Sequence, residues 1–364
     1  MACYLCKASK YIEILSKDSI SIWNGSSEIE DVKYPCKIRQ CSECGHVYEN
    51  ISNELSEKLT EIYSFGHAFA STPPSDYNWG SERAKAFLSR INYIKYSSAI
   101  EIGCADGYLL RFLERHGYSK LIGVEPSLSE SAKIGNIEFI KAFANGETNL
   151  SKVDLIFANA VFEHIEDINS VLQFVKNNLN KNGELFFAVP NAEAELVSGD
   201  PALFIHEHVH YYTKDSINFL LANNGFKLNS IIQEPDAIYV SAILDTKTSV
   251  LKNKINLYSG YSELLEERLN KFSETIEIYD NIIIHGATNK LNNILGWLDN
   301  NFSFTLVDND EIKLDHFFFG NKVESINNLN ISDYDCLIII PTPYFSSIRD
   351  QYLQLGFSGM IYQA

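Results

Sequence analysis

Residues 97–127 read SSAIEIGCADGYLLRFLERHGYSKLIGVEPS, and this stretch decides the fold. Residues 99–102 are a short apolar run, a tight turn with two glycines follows, and Tyr108–Arg115 continues at helical period. A second apolar run ends on Glu125. The pattern predicts strand, turn, helix and strand, which is half of a doubly wound α/β unit. In such a unit a ligand lies at the carboxyl ends of the strands, where an acid can accept hydrogen bonds from a ribose diol.

The glycine spacing separates two kinds of nucleotide site. A dinucleotide turn reads G-x-G-x-x-G, and Tyr108 stands in the place of its third glycine, which counts against a nicotinamide oxidoreductase. Residues 101–107, EIGCADG, resemble instead the E/D-x-G-x-x-x-G signature of S-adenosylmethionine methyltransferases. An ordinary βαβ turn without a ligand is the alternative. The resemblance implies a methyl-donor site that contains Glu101, Gly103, Cys104, Ala105, Asp106, Gly107, Glu125 and Pro126.

Composition bounds the class of protein. The 364 residues are 45% hydrophobic, which suffices for two or three domains. A net charge of −17 without a cluster of Lys and Arg argues against a nucleic-acid partner. Apolar runs are far shorter than a membrane span, and the N-terminus lacks the layout of a signal peptide. We therefore expect a cytoplasmic protein, a monomer or a homodimer, with no membrane partner.

Two cysteine pairs predict a metal site. Cys3 and Cys6 form one Cys-x-x-Cys pair and Cys41 and Cys44 form another, a doubled spacing typical of a tetrahedral zinc site. Four thiolates leave no coordination position open for chemistry, so we expect a structural Zn²⁺. The alternative is a set of unrelated buried cysteines, and Cys36 is a possible substitute ligand.

The order of elements predicts several modules. We expect a zinc module with an active-site loop over 1–75, a Rossmann-like methyltransferase domain over 76–245, a helical connector over 246–280 and a Rossmann-like lobe over 281–364. Strands and helices alternate from residue 97 to 189, which favours a parallel sheet. The stretch 62–79 reads as a loop, and its aromatic residues either line the acceptor pocket or pack two domains together. They are Tyr63, Phe65, His67 and Tyr77.

A histidine-rich segment is the second candidate site. Residues 203–212 read LFIHEHVHYY, with more polar groups than a buried core accepts without partners. His206 and His208 are either metal ligands or, as we favour, a general base with neighbours that orient it. A base at this position suits a methyl transfer in which the acceptor loses a proton.

The chain resembles, in order and over nearly its whole length, the zinc-containing sugar C-methyltransferases that act on nucleotide-linked deoxysugars. The resemblance rests on the two cysteine pairs, EIGCADG, FANAVFEHIEDI, AVPNAE, FIHEHVHYY and the Gly286-Ala287-x-x-Lys290 turn. Ile205 stands where the family has a tyrosine.

Site roles follow from that resemblance. It implies zinc on the four cysteines, Cys3, Cys6, Cys41 and Cys44. Donor contacts would come from Gly103, Asp106, Glu125 and, near the adenine, Phe143, and Asn159 and His164 would border the donor and acceptor pocket. His208 would be the base beside Glu207, with His206 and Tyr63 as further catalytic candidates. The predicted function is methyl transfer from S-adenosylmethionine to a carbon or oxygen of a sugar linked to a nucleotide, with a histidine as the general base. The alternatives are an O-methyltransferase of a saccharide or other small metabolite, and a catalytically inert zinc-containing scaffold.

Overall fold

The computed structural model describes residues 2–22, 33–65, 84–245, 255–298, 302–311, 313–315, 317–318, 321–341 and 344–364. The chain divides into two compact units, and each collects stretches that are distant in sequence. Unit 1 comprises Met1–Leu15, Lys37–Ala194 and Glu207–Ser259, and unit 2 comprises Ser16–Cys36, Glu195–His206 and Gly260–Ala364. Among the helices of the described ranges, none has both the length and the apolar character to cross a bilayer.

The cysteine pairs lie among the first elements of the chain: Cys3 and Cys6 precede the first strand, Cys41 ends the second, and Cys44 follows it. These elements are β1 (Tyr11–Ser21), β2 (Lys33–Cys41), β3 (Val47–Glu49) and α1 (Asn53–Phe65). Helix α1 forms because Leu55, Leu59 and Ile62 recur at helical spacing and bury one face. The sequence prediction of a loop that starts at Ile62 was therefore wrong in its first residues, since Tyr63 lies in the last turn of α1. His67 and Tyr77 lie outside the described residues, and the side chain of Phe65 is likewise not described.

The central sheet belongs to unit 1. Its first part comprises β4 (Ser98–Ile102), α2 (Tyr108–Arg115), β5 (Lys120–Val124), β6 (Ala132–Ile134), β7 (Ile137–Ile140), β8 (Val153–Asn159), α3 (Ile168–Asn178) and β9 (Leu179–Pro190). The second part comprises α4 (Ala192–Ser198), β10 (His210–Tyr211), α5 (Lys214–Asn223), β11 (Phe226–Gln233) and β12 (Ala237–Leu244).

The strand order explains where a ligand can bind. The eight strands run β11-β12-β9-β8-β4-β5-β7-β6, and the small sheet runs β1-β2-β3-β10. From β4 the chain proceeds to β5 and β7 on one side and then returns to β8 on the other side. That reversal beside β4 creates a crevice at the carboxyl ends of the strands.

The sheet is mixed, whereas the sequence favoured a parallel one. Strands β7, β5, β4, β8 and β9 are parallel, but β12 and β11 add to β9 as an antiparallel hairpin and β6 is antiparallel to β7. The observed fold is the expected α/β class, a Rossmann-like methyltransferase fold with antiparallel edges. The two edge hairpins are local, but the antiparallel placement of β12 beside β9, as in the pair Ala237 and Pro190, depends on contacts distant in sequence, which the alternation of strands and helices does not report.

The C-terminal lobe belongs to unit 2. Its elements are α6 (Tyr261–Glu277), β13 (Ile282–His285), α7 (Asn289–Trp297), β14 (Thr305–Val307), β15 (Phe317–Phe318), β16 (Asn321–Glu324), β17 (Cys336–Ile339), α8 (Phe345–Gln354) and β18 (Met360–Gln363). The order β15-β16-β14-β13-β17-β18 again reverses beside the first parallel strand. Both faces of β13 and β17 are covered, and the residues alternate between two hydrophobic clusters. This lobe is Rossmann-like, as expected.

Candidate active site

A cavity of about 290 Å³ lies at the carboxyl ends of β4, β5 and β8. The turn after β4 is closed by a hydrogen bond from the Gly103 N–H to the Val124 carbonyl oxygen at 2.8 Å. Gly103 has φ +71°, and a Cβ there would lie 2.5 Å from the Val161 Cγ2 atom. Because only glycine fits this backbone without a clash, the turn can approach the strand end on the other side of the crevice.

Glu125 orders this turn. Its Oε2 accepts a hydrogen bond from the Ala105 N–H at 3.1 Å, and its Oε1 accepts from the Ser127 N–H and hydroxyl at 3.0 and 2.8 Å. A carboxylate offers about four acceptor positions, so one remains on Oε2, the oxygen that faces the turn. That position suits a ribose hydroxyl.

Two residues of the cavity wall carry backbone strain. Ala105 and Ala160 have φ values of +47° and +55°, in the left-handed region that residues with a side chain rarely adopt. Ala105 follows β4 and Ala160 follows β8. Strain of this kind costs about 1–3 kcal/mol per residue and clusters at functional sites. Its location is independent support for a binding function at this edge of the sheet.

The predicted donor residues divide into two groups. Seven of them line the cavity: Gly103, Ala105, Glu125, Pro126, Phe143, Asn159 and His164. The Phe143 ring, about half exposed, offers an aromatic surface there. The other four, Glu101, Cys104, Asp106 and Gly107, are not part of the cavity wall.

Each of those four has a different surrounding. Asp106 is exposed and pairs with Arg111 at 2.7 Å. Glu101 is buried, and its Oε2 atom has no hydrogen-bond partner among the described residues. Burial, followed by repulsion from Asp106 and Glu125, raises the pKa of this carboxyl group well above its usual range. Burial also raises the pKa of the Cys104 thiol, which packs against Gly123. Gly107, at φ +80°, is the N-cap of α2.

A second group of side chains includes Tyr63 and His164, which both line the cavity. The Tyr63 hydroxyl lies 2.8 Å from His164 Nδ1, and the same Nδ1 lies 2.6 Å from the Glu207 carbonyl oxygen. A carbonyl oxygen only accepts, so the His164 proton sits on Nδ1 and leaves Nε2 unprotonated. Nε2 is 3.7 Å from the Glu163 Oε1 atom.

His208 is next to this group but is not part of the cavity wall. Its ring lies 4.8 Å, centroid to centroid, from the His164 ring. Ligand atoms of Glu163, His164 and His208 all lie within 4.8 Å of one another, which also brings them within reach of a cation. Burial lowers the pKa of His164 to about 4, and burial and then the neighbouring His164 lower that of His208 well below the usual range. Both imidazoles are therefore neutral at pH 7.

The other predicted catalytic residues lie differently. His206 is fully buried in unit 2, where Nε2 donates to the carbonyl oxygens of Ile20 and Tyr34, each at 3.1 Å. Glu207 contributes its backbone carbonyl to His164, as above, and its side chain is buried. Sequence reasoning missed Glu163, although it directly precedes a histidine that was selected.

The four predicted zinc ligands converge. The Sγ atoms of Cys3 and Cys44 are 3.6 Å apart, those of Cys6 and Cys41 are 3.5 Å apart, and all four lie within 4.8 Å of one another. Tetrahedral zinc with Zn–S bonds of about 2.3 Å places its sulfurs about 3.8 Å apart, so the site fits this ion. Hydrogen bonds from neighbouring thiols lower the pKa of Cys41 and raise those of Cys3 and Cys44, because four adjacent thiols do not all ionise without a cation.

Comparison with known families agrees with this arrangement. A protein-family model described as a methyltransferase domain matches residues 76–231, the range that holds the glycine turn, Glu125 and His164. A second family model, described as C2185-like, N-terminal, matches residues 278–360, which correspond to the C-terminal lobe.

Relatives of the methyltransferase domain have several substrates. The tRNA U34 carboxymethyltransferase of Campylobacter hominis is 27% identical over 154 residues, 40% of this chain and 52% of that protein. The C-methyltransferase NovU of Streptomyces niveus is 26% identical over 241 residues, 62% of this chain and 56% of that protein. The chain thus spans about half the length of these curated relatives. An S-adenosylmethionine-dependent methyltransferase structure from Mesorhizobium loti is 15% identical, covers 43% of this chain and 95% of that one, and has a TM-score of 0.35.

Proposed function

We propose that this protein is an S-adenosylmethionine-dependent methyltransferase whose acceptor is a sugar linked to a nucleotide, with His208 as the general base. The observation that carries the proposal is the cavity at the switch point, which extends from Glu125 to His164. One wall provides a carboxylate and an aromatic surface, and the other provides the neutral imidazole of His164, with the His208 ring 4.8 Å from it. A methyl donor and an acceptor that loses a proton need these two walls side by side.

The cavity suits the donor. Glu125 has an acceptor position for a ribose hydroxyl, and Phe143 offers its ring to an adenine. When bound, S-adenosylmethionine supplies an electrophilic methyl group, whose bond to sulfur breaks with the electron pair on sulfur as the acceptor carbon or oxygen bonds to it. The glycine turn permits close approach of this ligand, as described above.

The imidazole wall suits proton removal. Within the described residues, neither ring nitrogen of His208 has a hydrogen-bond partner, so a nitrogen is available to take the proton that the acceptor loses. The Glu163 carboxyl group lies within 4.8 Å and stabilises the imidazolium once it forms. His164 is fixed by Glu207 and Tyr63 and borders the same space.

The sugar acceptor rests on two further arguments. The resemblance to sugar C-methyltransferases extends from the cysteine pairs to the C-terminal lobe, and the match to NovU covers 62% of this chain. Two of the relatives are named tRNA U34 carboxymethyltransferases. A net charge of −17 disfavours a polyanionic acceptor for this chain. We propose Zn²⁺ on the four cysteines as a structural ion. An O-methyltransferase is the second candidate function.

The experiment has a binding arm and a turnover arm. Calorimetry with S-adenosylhomocysteine measures donor-site binding, and mass spectrometry measures a one-methyl shift on a panel of nucleotide sugars. We expect His208→Ala to bind S-adenosylhomocysteine like the parent and to lose turnover by about a hundredfold to ten-thousandfold. His116→Ala, at an exposed position, is the matched control.

Three outcomes would correct the proposal. Absence of S-adenosylhomocysteine binding at millimolar concentration favours the inert scaffold. Parental turnover in His208→Ala removes the assigned base. Turnover that stops in the presence of a chelator and returns with a divalent cation, while zinc stays on the cysteines, assigns the Glu163, His164 and His208 group to cation binding instead.

A further inference from the structure

His210 is contacted from both cysteine pairs. Tyr4 lies between Cys3 and Cys6, and its ring meets the His210 ring edge-on at 5.3 Å. His46 follows Cys44 by two residues, and its Nε2 lies 2.9 Å from His210 Nδ1. His46 and His210 are both fully buried. The predicted zinc module therefore touches one histidine of the FIHEHVHYY segment through two separate residues.

The tautomers of this histidine pair follow from the geometry. His210 Nε2 lies 2.9 Å from the Ile165 carbonyl oxygen, which only accepts, so His210 carries its proton on Nε2. His210 Nδ1 is then the acceptor, and His46 donates to it from Nε2. His46 Nδ1 is consequently unprotonated, and this buried atom has no hydrogen-bond partner in the described part of the chain. The result is a directional chain from His46 through His210 to Ile165.

This chain ends at the active site. Ile165 follows His164 directly, and both residues line the donor cavity. The neighbouring backbone is held in the same way, since the Val209 N–H donates to the Glu163 carbonyl oxygen at 2.8 Å. The turn that carries Glu163 and His164 is thus attached to the 207–212 segment at several points, among them the bond from His164 to the Glu207 carbonyl oxygen. The bond from His210 to Ile165 is one of the contacts that hold the turn in place.

The other end of the chain is set by the second cysteine pair. The Gly45 N–H donates to the Cys41 carbonyl oxygen, and the Cys41 N–H donates to the His46 carbonyl oxygen, each at 2.9 Å. His46 is therefore part of the turn that presents Cys41 and Cys44. A divalent cation on the four sulfurs holds them as thiolates and fixes this turn, whereas without one the four thiols do not all ionise and this cross-link is lost.

We infer that His46 and His210 are positioning residues that make the placement of His164 depend on the four-cysteine site. The inference goes beyond the proposed function, because it gives the structural ion a role in the geometry of the active site. Only its turnover arm rests on that function. Its first test is spectroscopic and does not require an acceptor.

Nuclear magnetic resonance of the histidine ring nitrogens is that first test. In the zinc-loaded protein we expect His210 and His46 as Nε2–H tautomers. Removal of zinc should shift or broaden the ring signals of His210 and His164, whereas those of the exposed His116 stay in place. Unchanged His164 signals after zinc removal, with loss of zinc shown by elemental analysis, would overturn the inference.

Because zinc removal can unfold the module, a second set of variants keeps zinc in place. His210→Phe retains a ring beside Tyr4 and Tyr212 and deletes both hydrogen bonds. His46→Phe deletes one bond, and His46→Gln keeps an N–H donor. We expect the two Phe variants to contain the parental amount of zinc, to bind S-adenosylhomocysteine within about twofold of the parent, and to show shifted His164 signals.

Turnover on whichever nucleotide sugar the parent methylates then measures the consequence. Misplacement of a catalytic group by about 1 Å can cost about a hundredfold, so we expect a tenfold to hundredfold loss of kcat for both Phe variants. His46→Gln should recover most of this loss, and the double Phe variant should be no worse than the poorer single one. Parental kcat in both Phe variants, or a loss of donor affinity in step with kcat, would overturn the positioning role. An inactive parent with intact zinc-dependent His164 signals would instead refute the proposed function alone.

Discussion

The two Rossmann-like lobes contain the same turn in different surroundings. In unit 1 the Gly103 N–H donates to the Val124 carbonyl oxygen and Glu125 accepts from the Ala105 N–H. In unit 2 the Gly286 N–H donates to the Val307 carbonyl oxygen, also at 2.8 Å, and Asp308 accepts from the Ala287 N–H at 2.9 Å. In each lobe the turn follows the first parallel strand, and the acid directly follows the second parallel strand. The local pattern therefore does not decide whether a lobe binds a ligand.

The surroundings differ in charge and in space. Asp308 Oδ2 pairs with Lys313 at 3.0 Å, whereas no cationic side chain of the described residues pairs with Glu125. Both turn glycines are equally tight, since an added Cβ would lie 2.5 Å from Val161 at Gly103 and 2.5 Å from Pro341 at Gly286. The difference in space lies in the cavities: a cavity of about 440 Å³ in unit 2 lies against α6, α7, β17 and β18 and does not include the turn. An acid paired with a lysine away from a cavity stabilises the lobe, and an acid beside a cavity can bind a ligand.

Acid pH should distinguish the two units most strongly. Burial lowers the pKa values of His164 and His210 in unit 1, and of His285 in unit 2, to about 4. The unfolded chain has histidine pKa values of about 6.5, so it binds more protons and stability falls as the pH drops from about 7 towards 4.

From pH 7 to 5 we expect His164 and His210 to cost unit 1 about 4 kcal/mol and His285 to cost unit 2 about 2 kcal/mol. Protonation of the buried Glu101 in unit 1 and of Glu195 in unit 2, whose pKa values burial raises, offsets part of each loss. The depressed pKa of His208 adds to the loss in unit 1. Hydrogen exchange, corrected for intrinsic rates at each pH, measures both units in one sample. Equal destabilisation of the two units would refute the assignment of neutral buried imidazoles.

Glu125→Gln and Asp308→Asn should affect different properties, donor affinity in the first variant and thermal stability in the second. Glu125→Gln keeps the size of the side chain but removes the charge that orders the turn, so we expect S-adenosylhomocysteine to bind about a hundredfold more weakly, or about 2.7 kcal/mol. Asp308→Asn should leave this affinity unchanged and lower the thermal stability. Isothermal titration calorimetry and thermal unfolding on the same samples check both effects. Weaker S-adenosylhomocysteine binding in Asp308→Asn, with parental binding in Glu125→Gln, would reverse the roles of the two lobes.

Alanine at the two turn glycines tests the same contrast sterically. Gly103→Ala and Gly286→Ala both force a Cβ to within 2.5 Å of a neighbour at positive φ. Each should cost about 2 kcal/mol of stability. Only Gly103→Ala should also weaken S-adenosylhomocysteine binding. Loss of binding in both variants would mean that stability alone controls the donor site.

The smallest expected effect concerns His285. Nδ1 of this residue lies 3.0 Å from the Tyr352 hydroxyl, a bond that a glutamine can retain without titrating. His285→Gln should be close to neutral at pH 7 and should be about 1–2 kcal/mol more stable than the parent at pH 5. Urea unfolding at the two pH values measures this difference. Binding of S-adenosylhomocysteine at the Glu125 site should stay unchanged and serves as the control.

Local chemistry explains what the sequence could predict. The strand, turn and helix around Gly103 depend on neighbours within 30 residues, and so does the position of Glu125. The cysteine pairs are equally local, and their convergence followed from tetrahedral spacing. Asp106 could not be oriented from the signature, because the left-handed backbone of Ala105 precedes it and its carboxylate pairs with Arg111 at the surface.

Long-range contacts explain what it could not predict. Alternation would place His206, His208 and His210 on one face, but a turn at residues 206–207 breaks the alternation and sends His206 to other partners. The His46 and His210 pair joins residues 164 positions apart, a distance that no periodicity reports. The antiparallel pairing of β12 with β9 is missed for the same reason.

A crystal structure of the protein with S-adenosylhomocysteine tests the central claim most directly. We expect the adenosyl ribose on Glu125, the adenine against Phe143 and the sulfur directed towards His164 and His208. The ligand beside Asp308, or at the 440 Å³ cavity of unit 2 with the Glu125 cavity vacant, would contradict it.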